Sequence, residues 1–167
     1  AMSSFRQAIK IESGNALAYS RIGDLKNEDG DYENAAVYYA KACELKPDNH
    51  SYHAEAGTAY LRIHNFAKSK LHFKRSLELF PEQQFILYNL AVAYSADGTE
   101  EDLEAAIEAL EGAVDIDSKY ARGWFLKAHL EATLGRVTDS IASARQAMAN
   151  KSSLSTDEIQ RLNTILM

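Results

Sequence analysis

Residues 53–81, HAEAGTAYLRIHNFAKSKLHFKRSLELFP, contain the spacing that decides the fold of this chain. The small and bulky residues of this stretch recur at fixed distances before and after it. The recurring positions form three ladders: Tyr39, Phe73, Leu110 and Ala144; Ala42, Ser76, Ala113 and Ala147; and Leu45, Leu79 and Ile116. The step in each ladder is 34 residues, then 37, then 34 where a further member exists. Such a period indicates stacked supersecondary units, none of which can bury its apolar face alone.

Each unit is predicted to be a pair of helices joined by a short turn. In the first full unit, apolar residues at helical spacing lead up to Leu25, and the turn Asp29-Gly30-Asp31 follows. A second helix is expected from Tyr32 to Leu45, where the nearby Pro47 ends it. Few glycines and prolines, together with abundant Ala, Leu, Glu and Lys, favour helix throughout. The pattern therefore predicts an all-α chain.

These positions resemble the tetratricopeptide repeat, whose pattern is W-x2-L-G-x2-Y…A-x3-F…P. The four copies open with Tyr19-x2-Ile22-Gly23, His53-x2-Ala56-Gly57-x2-Tyr60, Leu87-x2-Leu90-Ala91-x2-Tyr94 and Trp124-x2-Lys127-Ala128. The register is kept across nearly the whole chain, although single copies are degenerate. The resemblance implies a right-handed superhelical solenoid of antiparallel helix pairs, in which the first helix of each pair, helix A, lines a concave groove.

Domain boundaries follow from the repeat register. We expect a partial repeat with helix B only at 1–15, repeat 1 at 16–49, repeat 2 at 50–83, repeat 3 at 84–120, repeat 4 at 121–152 and a C-terminal capping helix at 153–167. Repeat 3 carries a three-residue insertion between Gly98 and Leu103. Ser155 and Glu158 are spaced as a capping box that begins the last helix.

The N-terminal segment matches only the end of a repeat. Phe5, Ala8 and Ile11 lie 34 residues before Tyr39, Ala42 and Leu45. They therefore correspond to a helix B whose helix A is missing. We expect further repeats upstream in a longer protein, and an open N-terminal face that could support homo-oligomers.

Composition excludes several classes of function. The 167 residues are 46% hydrophobic, which argues against disorder. Their net charge of −6 argues against a nucleic-acid partner. No apolar run is long enough to cross a bilayer, so no membrane insertion is expected. The resulting expectation is a soluble protein, most simply a cytoplasmic one, although the sequence leaves its compartment open.

Catalytic and cofactor motifs are missing from the sequence. Cys43 is the single cysteine and reads as a small packing residue on a helix. His50 and His53 share a helix face, but no acid or thiol joins them at a ligand spacing. No phosphate-binding loop or nucleophile motif occurs. We therefore predict no enzyme activity, no cofactor and no metal site.

The family resemblance identifies a candidate peptide groove on the last two A helices. By register, the groove-facing residues there are Phe85, Tyr88, Asn89, Val92, Arg122, Phe125 and His129. They combine aromatic anchors with an amide and a cation, as expected of a peptide pocket. The carboxylate clamp of co-chaperone members is incomplete here, because only Asn89 and Arg122 fall on clamp positions.

The predicted function is therefore that of a protein–protein interaction scaffold, which binds a peptide or loop of a partner protein in its groove. Two alternatives stay open. One is a self-assembling repeat array, and the other is a regulatory or recruiting domain of a larger enzyme.

Overall fold

The computed structural model describes residues 14–96 and 98–167. Within these residues the chain is entirely helical, as predicted. The helices are α1 (Ala16–Glu28), α2 (Tyr32–Leu45), α3 (His50–Arg62), α4 (Phe66–Leu79), α5 (Gln84–Ser95), α6 (Glu100–Ile116), α7 (Ala121–Thr133), α8 (Val137–Ala149) and α9 (Thr156–Leu166), with a short 3-10 helix at Lys151–Ser153. No described helix has both the length and the apolar character needed to cross a membrane.

Polar caps define where most helices begin. The side chains of Asn15, Asp31, Asn49 and Asn65 accept hydrogen bonds from backbone N–H groups in the first turns of α1 to α4. These N–H groups have no partner within the helix, so the caps stabilise the helix ends. Ser155 and Glu158 form a reciprocal capping box at the start of α9, in agreement with the sequence pattern.

The chain divides into two compact units, and the second begins at Glu82. In the first unit, α1 packs against α2, α2 against α3, and α3 against α4. One cluster of its core consists of alanine and tyrosine, with Cys43 among them. The buried members of this cluster are Ala35, Ala36, Tyr39, Cys43, Ala56, Ala59 and Tyr60.

In the second unit, consecutive helices from α5 to α8 pack against one another, and α9 packs against α8 and α7. Leu162 of α9 is fully buried against Ala128, Ala144 and Ala147. The larger side chains around this cluster are Trp124, Phe125, Met148, Leu154, Ile165 and Leu166. The apolar face of α9 therefore covers α7 and α8.

The predicted domain boundaries stay a prediction. The partial repeat expected at 1–15 lies almost wholly outside these residues, together with Phe5, Ala8 and Ile11. Glu131 of α7 is buried and ion-paired. Its Oε1 lies 2.6 Å from Nζ of Lys127, which also lies 3.3 Å from Oε1 of Glu111.

Candidate functional site

The four candidate residues of α5 differ in how far they reach into solvent. Phe85 and Asn89 are four residues apart, as are Tyr88 and Val92, so the two pairs lie on adjacent parts of one side of the helix. Phe85 is exposed over 61% of its surface, whereas Tyr88 and Val92 are half-buried. Asn89 is buried, with 7% of its surface exposed. An exposed phenyl ring therefore lies beside a largely buried amide.

The Asn89 amide has no hydrogen-bond partner in the part of the chain that the structure describes. Within residues 14–96 and 98–167, the Asn89 side chain makes no hydrogen bond, and its polar atoms are not among those fully closed off from solvent. Most buried polar groups in proteins are paired, because an unpaired one costs about 1–3 kcal/mol. An amide that is enclosed and still reachable can hydrogen-bond an incoming group.

The three candidate residues of α7 do not play the same structural part. Arg122 and His129 are exposed, one near the start of the helix and the other near its end. Phe125 is partly buried and packs against the cluster around Leu162. The structure therefore places Phe125 partly in the core beneath α9, while Arg122 and His129 reach solvent.

Tyr88 and Tyr120 connect the two helices. Their rings meet edge to face, with centroids 5.6 Å apart. Burial raises the pKa of the Tyr88 phenol, and burial raises the pKa of Tyr120 to about 12. Arg122 lies close enough to act on both rings, since its charge lowers the pKa of each phenol against the effect of burial. Both phenols are therefore neutral at physiological pH and can donate hydrogen bonds.

Arg122 has no ion pair among the described residues of the second unit, whose ion pairs involve other side chains. The charge of Arg122 acts on one carboxylate of α9, that of Glu158. A hydrogen bond from the Ser155 backbone lowers the pKa of Glu158, and the charge of Arg122 lowers it further. The guanidinium therefore keeps its donors available for a carboxylate or carbonyl of a partner.

Tyr120 and Glu158 were not among the residues predicted from the sequence. Tyr120 lies just before α7, outside the helix positions that the repeat register assigns to the groove. Glu158 belongs to the capping helix and was interpreted only as a cap. Tyr120 is an aromatic residue only two positions before Arg122, and that closeness in sequence could have identified it.

A second polar cluster lies inside the first unit. It contains Cys43 of α2, His53 of α3 and His72 of α4. Burial raises the pKa of the Cys43 thiol to about 12 and lowers the pKa of His72 to about 4. Burial also lowers the pKa of His53. The sequence paired His53 with His50, so this grouping was missed, because it needs the packing of three helices.

Comparisons with known proteins agree with the repeat register. Two family models, both described as Tetratricopeptide repeat, match residues 16–49 in one case and residues 55–121 and 99–154 in the other. A curated relative is the Protein O-mannosyl-transferase Tmtc3 of Drosophila melanogaster, 22% identical over 78 residues. That match takes in 47% of this chain, which spans only 8% of the length of the relative.

Solved structures show the same fold. MamA superposes with a TM-score of 0.84 at 17% identity, over 90% of this chain and 86% of its own. YrrB, described as a TPR protein with an unusual peptide-binding site, superposes with a TM-score of 0.80 at 19% identity, over 99% of this chain and 83% of its own. The helix pairs, the repeat register and these matches lead to one conclusion. The chain belongs to the tetratricopeptide repeat family.

Proposed function

We propose that this chain is an interaction scaffold that binds an extended peptide or loop of a partner protein along α5 and α7. Tetratricopeptide repeats are protein-interaction scaffolds, and the proposal places the contact on the second unit. The observation that carries it is the Asn89 amide, which is 7% exposed and makes no hydrogen bond within residues 14–96 and 98–167. The proposed contact residues are Phe85, Tyr88, Asn89, Val92, Arg122, Phe125 and His129.

The chemistry of these side chains suits a peptide backbone with one anchoring group. An amide offers both a donor and an acceptor, so Asn89 can pair with the N–H and C=O of one extended residue. Phe85 offers an exposed ring to an apolar side chain. Arg122 can bind a carboxylate through two parallel N–H donors. The partner is therefore expected to carry an apolar residue and a carboxylate a few residues apart.

Two arrangements compete with this proposal. Lateral self-assembly would use other faces of the chain, such as exposed Val37 on α2. A recruiting domain of a larger enzyme would still use the groove, and the Drosophila relative is named as a transferase. Sedimentation velocity over a range of concentrations distinguishes lateral self-assembly from a monomeric scaffold.

The test is a peptide array that contains free C-termini and internal segments of the same sequences. It is probed with the wild-type chain and with the double variant Asn89→Ala/Arg122→Ala. The matched control is Asn163→Ala/Arg145→Ala, which removes the same two residue types from exposed positions on α9 and α8. We expect hits that weaken at least about 10-fold in the first variant and persist in the control, which corresponds to a loss of about 1.4 kcal/mol.

The outcomes separate the possibilities. If the Asn89→Ala/Arg122→Ala variant loses binding only to peptides with a free C-terminus, Arg122 acts as a partial clamp for a terminal carboxylate. If the same variant also loses binding to internal segments, the site recognises the peptide backbone. Equal binding by both double variants would overturn the groove proposal.

A further inference from the structure

Three side chains that prefer transition metals meet inside the first unit. Cys43, His53 and His72 come from three different helices, and Sγ and one ring nitrogen from each histidine all lie within 4.8 Å of one another. Cys43 and His53 are buried, while His72 is half-buried. A thiol and two imidazoles are a donor set that suits zinc or copper rather than calcium or magnesium.

The orientation of His53 is the strongest observation. Its Nε2 lies 3.2 Å from the carbonyl oxygen of Pro47, and its Nδ1 lies 3.2 Å from Nδ1 of His72. A carbonyl oxygen can only accept, so in the neutral ring Nε2 carries the hydrogen and donates it to Pro47. The lone pair of His53 is therefore on Nδ1 and points at His72. Metal-bound histidines are held in this way, with the second nitrogen donating to a backbone carbonyl.

The spacing of the two nitrogens fits a shared ion. Two nitrogens bound to zinc at about 2.0–2.1 Å, at a tetrahedral angle, lie about 3.3 Å apart. The observed 3.2 Å is close to that value. A sulfur bound to the same ion would lie about 3.6 Å from each nitrogen. The three donor atoms lie within 4.8 Å of one another, so side-chain movements of about 1 Å bring them to these distances.

The surroundings hold the ligands in place. Cys43 packs in the cluster that includes Tyr39 and Tyr60, and the Tyr60 ring stacks on His72 with centroids 5.4 Å apart. These contacts restrict the rotation of both ligands. Because His72 is only half-buried, a fourth position on the ion can reach solvent, which would supply water as the last ligand.

We propose that Cys43, His53 and His72 bind a zinc ion that links α2, α3 and α4. This goes beyond peptide binding, and it departs from the sequence-based expectation that the chain has no metal site. Binding forms one Zn–S bond and two Zn–N bonds in place of three bonds from the ion to water. The hydrogen bond between the two Nδ1 atoms is given up, and His72 takes the tautomer with its hydrogen on Nε2, which leaves Nδ1 free to bind the ion. The Cys43 thiol gives up its proton to solvent, and neither the metal nor the sulfur changes oxidation state. The ion would connect the first and second repeats.

The direct test uses Co²⁺ as a coloured substitute for zinc with the reduced, untagged full chain. We expect a thiolate-to-cobalt charge-transfer band together with the intense visible bands of tetrahedral cobalt, saturating at about one ion per chain. Added Zn²⁺ should abolish both. Cys43→Ser should remove the charge-transfer band, and Cys43→Ser and His72→Gln should each weaken binding by more than about 100-fold.

Matched controls keep loss of folding apart from loss of a ligand. His64→Gln removes a histidine from the turn after α3 and should bind cobalt as the wild type does. Far-UV circular dichroism shows whether each variant is folded, and Zn²⁺ should raise the Tm of the wild type while leaving folded Cys43→Ser unchanged. A wild-type chain without a charge-transfer band, or a Cys43→Ser chain that binds with wild-type affinity, would overturn the proposal.

Discussion

A Cβ atom on Gly57 would lie 2.5 Å from Cδ1 of Phe73, which is fully buried. Helices α3 and α4 therefore pack closely at a point where residue 57 has no side chain. The same relationship recurs one repeat earlier, where a Cβ on Gly23 would lie 2.6 Å from Cε1 of Tyr39. The glycine and the aromatic residue of the repeat pattern are thus two halves of one contact, in which a ring fills the space that a side chain would occupy.

This contact predicts that Gly57→Ala destabilises the protein. Phe73 is enclosed on all sides and cannot turn away freely, so we expect a loss of about 1–3 kcal/mol. The control is Gly112→Ala in α6, where the added Cβ would meet Leu87 at an ordinary 3.4 Å. That change should be neutral or stabilise by up to about 1 kcal/mol, because alanine favours helix. Urea unfolding measures both, and equal effects would contradict the explanation.

His64 is expected to be less favourable than glycine at its position. It has φ of 57°, and the turns at the equivalent positions of the other repeats use Gly30, Gly98 and Gly135, all with positive φ. Relief of the left-handed strain should make His64→Gly more stable by up to about 1 kcal/mol, although the edge contact with Phe66 is lost.

The opposite change provides the control for His64. A Cβ atom on Gly30 would have nothing within 4 Å, so only the backbone conformation opposes a substitution there. Gly30→Ala should therefore cost about 1 kcal/mol. Denaturation midpoints that move in the same direction for both variants would be inconsistent with backbone strain as the cause.

Glu55 is expected to make stability depend on pH. Burial raises its pKa, and the charge of Asp24 adds to the rise, while a 2.9 Å hydrogen bond from Ser20 and the charge of Arg21 act in the opposite direction. A carboxyl with a raised pKa in the folded state binds its proton more tightly there than in the unfolded chain. Its contribution to stability is therefore present at low pH and lost as the pH rises through the folded pKa.

The variant Glu55→Gln removes that titration. Its Tm should exceed that of the wild type at neutral pH, and the difference should shrink as the pH is lowered. The control is Glu108→Gln, at an exposed position on α6, which should not show a gain in Tm that depends on pH. The difference in Tm is measured by thermal unfolding, monitored by circular dichroism, from acid to neutral pH. A gain for Glu55→Gln that does not change with pH would rule out the carboxyl as its source.

The buried ion pair of α7 predicts that removal of Lys127 destabilises the protein, because Glu131 loses its counter-charge. The two side chains are only 3% and 12% exposed, so Lys127→Met would leave a carboxylate without its counter-charge. We expect a loss of about 3 kcal/mol, most of which Lys127→Met/Glu131→Leu should recover. The exposed pair of Lys41 and Glu44 is the reference, and Lys41→Met should cost less than about 1 kcal/mol. Urea unfolding compares the three variants; a double variant as unstable as the single one would contradict the argument.

The repeat period predicted the helix pairs and the turns within them. Phe73 and Gly57 were recognised as recurring positions of the pattern, but their contact came from the structure. The capping box of α9 was readable from the sequence, since it depends on residues only three positions apart. Local spacing carries this information, and four degenerate copies reinforce one another.

Packing between helices decided what the period could not. Phe125 falls on a groove position by register, yet it lies partly in the core because α9 covers that side of α7. Glu131 is a buried carboxylate, and Lys127 compensates its charge from one turn away. Cys43, His53 and His72 meet only because three helices cross at one place. Register determines the face on which a residue lies, whereas distances between side chains of different helices depend on crossing angles and rotamers, which the tertiary structure alone decides.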